Sequence, residues 1–229
     1  MTDGDSASGL LASGREADVF RFGERRVLRR YRDGSSAAPE VDLMRYVGDH
    51  GYPVPVVHEV DGPDLIMDLV EGPTMMAALQ AGTLGVVEAA HHLADLHNVL
   101  HAVPTPAGVP ADQRVVHLDL HPLNVIMSGR GPVVIDWRYG RLCPVALDVA
   151  MTGVILAEGA TNAGDPRRDL LRSLLLRFLA GVDGDPRSEL DQAVERRSTD
   201  FPGEAHRVRF ESAARFVREC AQGRAAASG

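Results

Sequence analysis

Val115–Trp137 reads VVHLDLHPLNVIMSGRGPVVIDW. Two short β-branched runs, Asn124–Met127 and Val133–Ile135, flank a Ser-Gly-Arg-Gly-Pro turn, the pattern of a β-hairpin. The polar cluster His117, Asp119, His121 and Asn124 precedes the first run, and Asp136 ends the second. A hairpin brings its outer ends together, so this pattern predicts that Asn124 and Asp136 meet, with Asp119 on the loop before them. Such a meeting offers two oxygen ligands to a hard divalent cation and leaves a free carboxylate beside it. Magnesium keeps several waters and takes one or two protein oxygens plus substrate phosphates, so the arrangement suits a metal nucleotide. An ordinary buried hairpin with polar residues at its mouth is the simpler alternative. Against it stands the joint constraint His-x-Asp-x-x-x-x-Asn, hairpin, Ile-Asp-Trp, which is longer than a single spacing.

HLDLHPLNVIM followed by VVIDW resembles the catalytic loop and metal-binding Asp of the protein-kinase-like fold, and within it the aminoglycoside phosphotransferase and choline kinase branch. Protein kinases carry H-R-D-L-x-x-x-N and D-F-G. Here Leu118 stands for the Arg, His121 follows the Asp by two positions, and Asp-Trp-Arg replaces Asp-Phe-Gly, departures that point to the small-molecule branch. The likeness has landmarks over about residues 10–160 and only helical pattern beyond. It implies an α+β, two-lobed fold: a small antiparallel β lobe at 1–70 that binds nucleotide, and a larger, mostly helical lobe at 71–229 with the catalytic loop and the acceptor site. It also implies an ATP-dependent phosphotransferase acting on a hydroxyl of a small molecule. Asp119 is then the base, His117 a scaffold for its loop, and Asn124 and Asp136 the ligands of Mg2+; the role of His121 stays open. The alternative on the same fold is a catalytically weak or inactive nucleotide-binding regulatory protein, and a third reading is nucleotidyl transfer.

The chain contains no lysine, so all 24 basic residues are arginine and any task usually given to Lys falls to Arg. Leu10–Ala12, Ala17–Phe22 and Arg26–Tyr31 read as three strands after a disordered-looking opening. The turn Ser13-Gly14-Arg15-Glu16 is either a flap over the phosphates, with Gly14 its single glycine, or a plain β-turn. Val27, Arg29 and Tyr31 share one face of the third strand because side chains alternate. The resemblance gives Val27 an apolar nucleotide contact and Arg29 the phosphate-gripping role, with Arg30 the substitute if the register slips by one. The competing account is that both arginines simply solvate an edge strand. Ala37–Asp49 has helical spacing, and Glu40 matches the residue that pairs with the phosphate-binding cation. A first-turn Glu that stabilises the helix dipole is the competing account.

Val56–Val60 and Leu65–Val70 read as two more strands, and Glu71-Gly72-Pro73 as the linker between lobes. The family places adenine against that linker, near the backbone of Asp68 and Val70 and lined by Met67; a Met on a strand is otherwise plain core. Thr74–Gln80 and Leu84–Val103 read as helices, the longer with Val87, Ala90, Leu93, Ala94, Leu96 and His97 on its apolar face as the central helix of the second lobe. His91, His92, His97 and His101 lack a convergent carboxylate or Cys in the sequence pattern, which argues for packing or surface positions rather than a metal site. Pro144–Leu156 is an apolar helix whose Asp148, in the family, supports the catalytic loop from behind. Arg167–Val182, Ser188–Arg197 and Glu204–Gln222 carry further helical patterns.

A net charge of −8 argues against nucleic acid or an anionic membrane as the main partner. No apolar run is long enough to span a bilayer, and the opening MTDGDSASG does not resemble a secretory signal. The two cysteines, Cys143 and Cys220, show no metal-ligand spacing, which with the rest predicts reduced thiols in the cytoplasm. Only Arg138-Tyr139-Gly140-Arg141 and a few more residues separate Asp136-Trp137 from the next helix, too little for a peptide-docking segment. A small-molecule acceptor is therefore expected, while its identity and the oligomeric state are not legible.

Overall fold

The computed structural model describes residues 7–227. Alternation in Ala17–Phe22 (β2) and Arg26–Tyr31 (β3) produces two strands with the expected bounds. They lie in a five-stranded antiparallel sheet with β1 (Ala7–Ser13), β4 (Val57–Asp61) and β5 (Asp64–Asp68), in the order β1-β2-β3-β5-β4. β3 is thus central and not an edge. Val27, Arg29 and Tyr31 are buried on one face, while Arg30 is exposed and makes a bidentate bridge to its cross-strand partner Asp64. The expected disordered opening lies partly outside the described residues; Ala7–Gly9 belong to β1, whose pairing with β2 is irregular.

Helix α1 (Ala38–Asp49) starts with Pro39 in its first turn, where a missing N–H costs nothing, and buries Glu40, Val41, Met44 and Val47. Thr74 caps α2 (Met75–Gln80) through its side chain, and α3 runs Val86–His101. Two short strands that the apolar pattern does not announce, β6 (Gln113–Val116) and β9 (Arg141–Pro144), pair antiparallel. The central hairpin is β7 (Val125–Ser128) and β8 (Gly131–Val134), so its turn is tighter than the five-residue reading. Ser128 and Gly131 are already strand, and the Ser128 hydroxyl, donating to the Gly131 carbonyl at 2.7 Å, closes it. Helices α4 (Val145–Thr161), α5 (Arg168–Gly181), α6 (Leu190–Asp200) and α7 (Glu204–Ala227) complete the fold, with a 3-10 turn at Pro186–Ser188.

The chain divides into two compact units, one comprising the residues up to Pro73 with Ile126–Gly140, the other Thr74–Val125 with Arg141 onward. A cut after residue 70 therefore misses that the segment Ile126–Gly140 packs with the first unit. Backbone pairing and an aromatic contact are among the causes. Met127 N–H donates to the Pro73 carbonyl and Val134 N–H to that of Pro53, each at 2.8 Å, and the fully buried Trp137 ring meets Tyr52 edge-on at 5.5 Å. In the second unit the centre is α4, not α3. α4 is buried almost all round and packs on α5, α6 and α7, as a helix apolar on every side must. Val87 of α3, expected on the apolar face, is 44% exposed. No described helix is long and apolar enough to cross a membrane, and Cys143 and Cys220 are both free thiols.

Two outcomes test this packing. Gly72 has φ +143°, and a Cβ there would lie 2.2 Å from the Met127 carbonyl oxygen. Gly72→Ala should therefore lose about 1–3 kcal/mol in a urea melt, since backbone rather than a flexible side chain must give way. Complete burial lowers the His97 pKa from 6.5 to about 4. The unfolded chain takes up that proton first, so the stability contribution is whole above pH 6.5 and declines as pH falls toward 4. At about 1.4 kcal/mol per pH unit the loss is on the order of 3 kcal/mol, and thermal melts between pH 7 and 4.5 should show a shallower decline in His97→Phe.

Candidate active site

The side chains singled out from sequence fall into two groups, one in each unit. In the first unit the sheet register sets Val27 directly opposite Met67, both buried, one step from Arg29 opposite Leu65. Arg29 is 6% exposed and donates from one guanidinium nitrogen to Glu40 Oε1 at 2.5 Å and from the other to Asp136 Oδ1. Glu40, 5% exposed, also accepts from the Trp137 backbone N–H at 3.0 Å and from the Tyr31 hydroxyl. It is thus a buried ion-pair partner, not an exposed first-turn acid. Burial works against the charge on Arg29, but the carboxylates of Asp136 and Glu40 outweigh it and raise its pKa. Asp136 sits at φ +66°, a left-handed conformation that costs an L-residue about 1–3 kcal/mol and clusters at functional sites. Its side chain stays 42% exposed, and its second oxygen takes no hydrogen bond among the described residues.

The Gly14 N–H closes its turn on the Ala17 carbonyl at 2.9 Å. Sequence reading missed what holds that turn. Arg138 Nε lies 2.7 Å from Glu16 Oε2, the Tyr139 hydroxyl donates to Glu16 Oε1, and Arg15 donates to the Tyr139 oxygen at 2.9 Å. Arg138 also bridges to Asp33 at 2.6 Å and stacks over the Tyr31 ring at 4.2 Å. The only advance signal was that Arg-Tyr follows Asp136-Trp137. At the other strand end, the Asp68 N–H is already donated to the Val56 carbonyl and its carboxylate pairs with His58 at 2.7 Å, while Val70 makes no hydrogen bond among the described residues.

In the second unit β6 delivers the buried His117, whose Nδ1 accepts from the Asp119 N–H at 3.2 Å. The Asp119 carboxylate is engaged by its own loop: Asn124 Nδ2 donates to its Oδ2 at 3.0 Å and to its backbone carbonyl at 2.9 Å. Those two acceptors fix the amide's orientation, so the Asn124 oxygen faces away with no bonded partner among the described residues. His121 Nε2 lies 3.5 Å from Asp119 Oδ1. Burial pushes the Asp119 pKa up, but the His121 bond and the charges of His121, His117 and Arg197 bring it below the usual carboxylate value. Leu118, just before it, has φ +64°. Its N–H donates to Asp148 Oδ1 at 2.6 Å, and His101 Nε2–H donates to Asp148 Oδ2 at 2.8 Å. Those bonds and the imidazoles of His97 and His101 hold the fully buried Asp148 well below the usual carboxylate range, although burial alone would raise it.

The sheet, the helix carrying a buried Glu to a strand cation and the His-x-Asp loop together define the protein-kinase-like fold. The chain belongs to the phosphotransferase enzyme family, whose model matches residues 9–114 and 73–189. No curated sequence matches significantly. Among solved structures it is similar to a choline/ethanolamine kinase family protein from Mesorhizobium loti, at 17% identity and TM-score 0.56, covering 96% of this chain and 88% of that one. It is also similar to an amicoumacin kinase in complex with AMP-PNP, Ca2+ and amicoumacin, at 12% identity and TM-score 0.58 over 97% and 89% of the two chains. An ADP-bound aminoglycoside phosphotransferase matches at 15% identity and TM-score 0.57 over 94% and 93%.

The buried ion pair makes one energetic demand. With side chains only 7% and 3% exposed, Arg29 and Glu40 gain little screening from water. Arg29→Met leaves Glu40 buried without its counter-ion and should cost about 3–5 kcal/mol in chemical denaturation. Adding Glu40→Gln should recover part of that loss.

Proposed function

We propose that the protein is an ATP-dependent small-molecule kinase that moves the γ-phosphoryl group of ATP to a hydroxyl of its acceptor. The observation that carries this reading is the Asp119–Asn124 pair. Asn124 turns its NH2 onto an ionised Asp119 and leaves its oxygen unengaged, so one loop offers both a base and a metal ligand. The unengaged oxygens of Asn124 and Asp136 are hard donors that fit Mg2+, which takes few protein ligands. Bound with ATP, Mg2+ would neutralise charge on the phosphates.

The chain's own residues supply the positioning. Arg29 keeps its charge and would grip phosphate oxygens, with Glu40 holding its guanidinium plane. Val27 and Met67 offer an apolar pair for adenine, and the unbonded backbone of Val70 a place for its edge. Gly14 and its turn would cover the phosphates. Asp119 accepts the hydrogen bond of the acceptor hydroxyl and takes its proton, while His117 holds the loop.

The acceptor would occupy the cavity of about 250 Å³ in the second unit, lined by His121, Glu158, Asn162, Asp165, Arg197 and Arg209 among others. Glu158 and Arg197 neutralise each other across its wall at 2.7 Å. A small polar alcohol suits this size and charge balance better than a polycation, which needs a concentrated acidic pocket.

One observation favours a second reading, a nucleotide-binding regulatory protein: Arg29 is already committed to two carboxylates. Turnover separates the two. In a thermal-shift and ADP-release panel with ATP, GTP, Mg2+ and candidate alcohols, Asp119→Asn should lower turnover by about 10²–10⁴ and leave MgATP binding intact. Asp136→Ala should weaken MgATP binding itself. Nucleotide binding without transfer to any alcohol, equal in wild type and Asp119→Asn, would select the regulatory reading.

A further inference from the structure

His97 and His101 are four residues apart on α3, and Asp148 and Thr152 are four apart on α4, so each pair stacks on one face of its helix. The lower rung, His101 to Asp148 to the Leu118 N–H, precedes Asp119. The upper rung follows it: His97 Nε2 lies 2.9 Å from Thr152 Oγ1, and the Thr152 hydroxyl donates to the Leu120 carbonyl at 2.8 Å. A donor and an acceptor of the loop backbone, one on each side of Asp119, are thus gripped by consecutive turns of the same helix.

We propose that Thr152, oriented by His97, is a positioning residue for Asp119; this rests on the reading of Asp119 as the base. A buried helical Thr ordinarily bonds its own helix, donating to the carbonyl four residues back. Thr152 instead reaches a loop 32 residues away in sequence. Both Thr152 and His97 are fully buried, so water does not compete. His97 Nδ1–H donates to the Leu93 carbonyl at 2.8 Å, and the ring packs on Phe178 at 4.9 Å. With burial keeping the ring neutral, Nε2 is left as an acceptor. The single hydroxyl proton of Thr152 therefore serves Nε2 and the Leu120 oxygen in a three-centre arrangement. Leu118 holds a strained backbone, and strain persists only where the surroundings over-determine it. His117 and Asn124 hold Asp119 from within the loop itself. The Leu118 and Thr152 bonds anchor that loop to α4 on either side. Losing the Thr152 bond therefore lets the loop and its carboxylate shift together, and a misplacement of about 1 Å can cost about 10²-fold in rate.

The test compares Thr152→Val, which keeps shape and removes the hydroxyl, with Thr152→Ser, which keeps the hydroxyl. In the full chain, Thr152→Val should lower kcat about 10- to 100-fold with KM for ATP within about twofold. Thr152→Ser should stay within about threefold of wild type, and Thr152→Ala, which cannot overpack, should match Thr152→Val. Amide hydrogen exchange over Leu118–Leu120, measured without nucleotide, should quicken in Thr152→Val and Thr152→Ala but not in Thr152→Ser. The proposal is overturned by a Thr152→Val kcat within threefold of wild type, by a Ser variant as impaired as Val, or by unchanged loop exchange. The exchange arm needs no turnover, so absence of any phosphoryl transfer in wild type would sink the kinase reading and leave this one to be decided by exchange alone.

Discussion

A guanidinium removed from water must have its charge answered, and in the first unit that demand organises the structure. Arg29 stands on the central strand of the sheet with Glu40 from α1 on one side and Asp136 from the end of the hairpin on the other. Two carboxylates answer it, because desolvation of an ion costs several kcal/mol and is repaid only when its geometry is good and its donors are met. Three separate elements are thereby tied to one side chain. Glu40 extends the tie by accepting from the Trp137 N–H, which stabilises the turn where Asp136 adopts its left-handed conformation.

In the second unit the same logic is played by an anion. Asp148 carries its charge at full burial because two N–H donors converge on it, one of them the Leu118 backbone. A loop held this way can keep Leu118 at positive φ and carry Asp119 at a fixed place beside the Asn124 amide. Each unit thus pairs one buried charge with one strained residue, which is the candidate carboxylate Asp136 itself in the first unit and the neighbour of Asp119 in the second. Buried charges stabilise poorly in net terms but specify geometry, since any other arrangement strands them.

Much of this was legible in the chain. Strands β2 and β3 followed from alternation, and α1 and α4–α7 from helical spacing. The polar residues around the hairpin could be picked out because such a dense cluster serves no packing need. The errors had physical causes as well. The α3 periodicity looked like that of a central helix, but amphipathic spacing marks a surface helix, whereas α4, apolar on all sides, is the one the others surround. Strands β6 and β9 carry Gln and Arg and are defined by pairing with each other, which a local reading cannot see. Assigning Ile126–Gly140 to the second lobe failed for the same reason: its partners Pro53 and Pro73 lie more than fifty residues upstream.

By itself the sequence determined the helices, the strands of the first sheet and which polar residues exceed the needs of a core, since all of these depend on local spacing and composition. Tertiary structure alone decided whether Glu40 faces solvent or a cation, and which oxygens of Asn124 and Asp136 stay unengaged. Those outcomes turn on side-chain hydrogen bonds, and the free energy of such a bond is set by burial and by every competing partner. Neither quantity exists until the chain has folded.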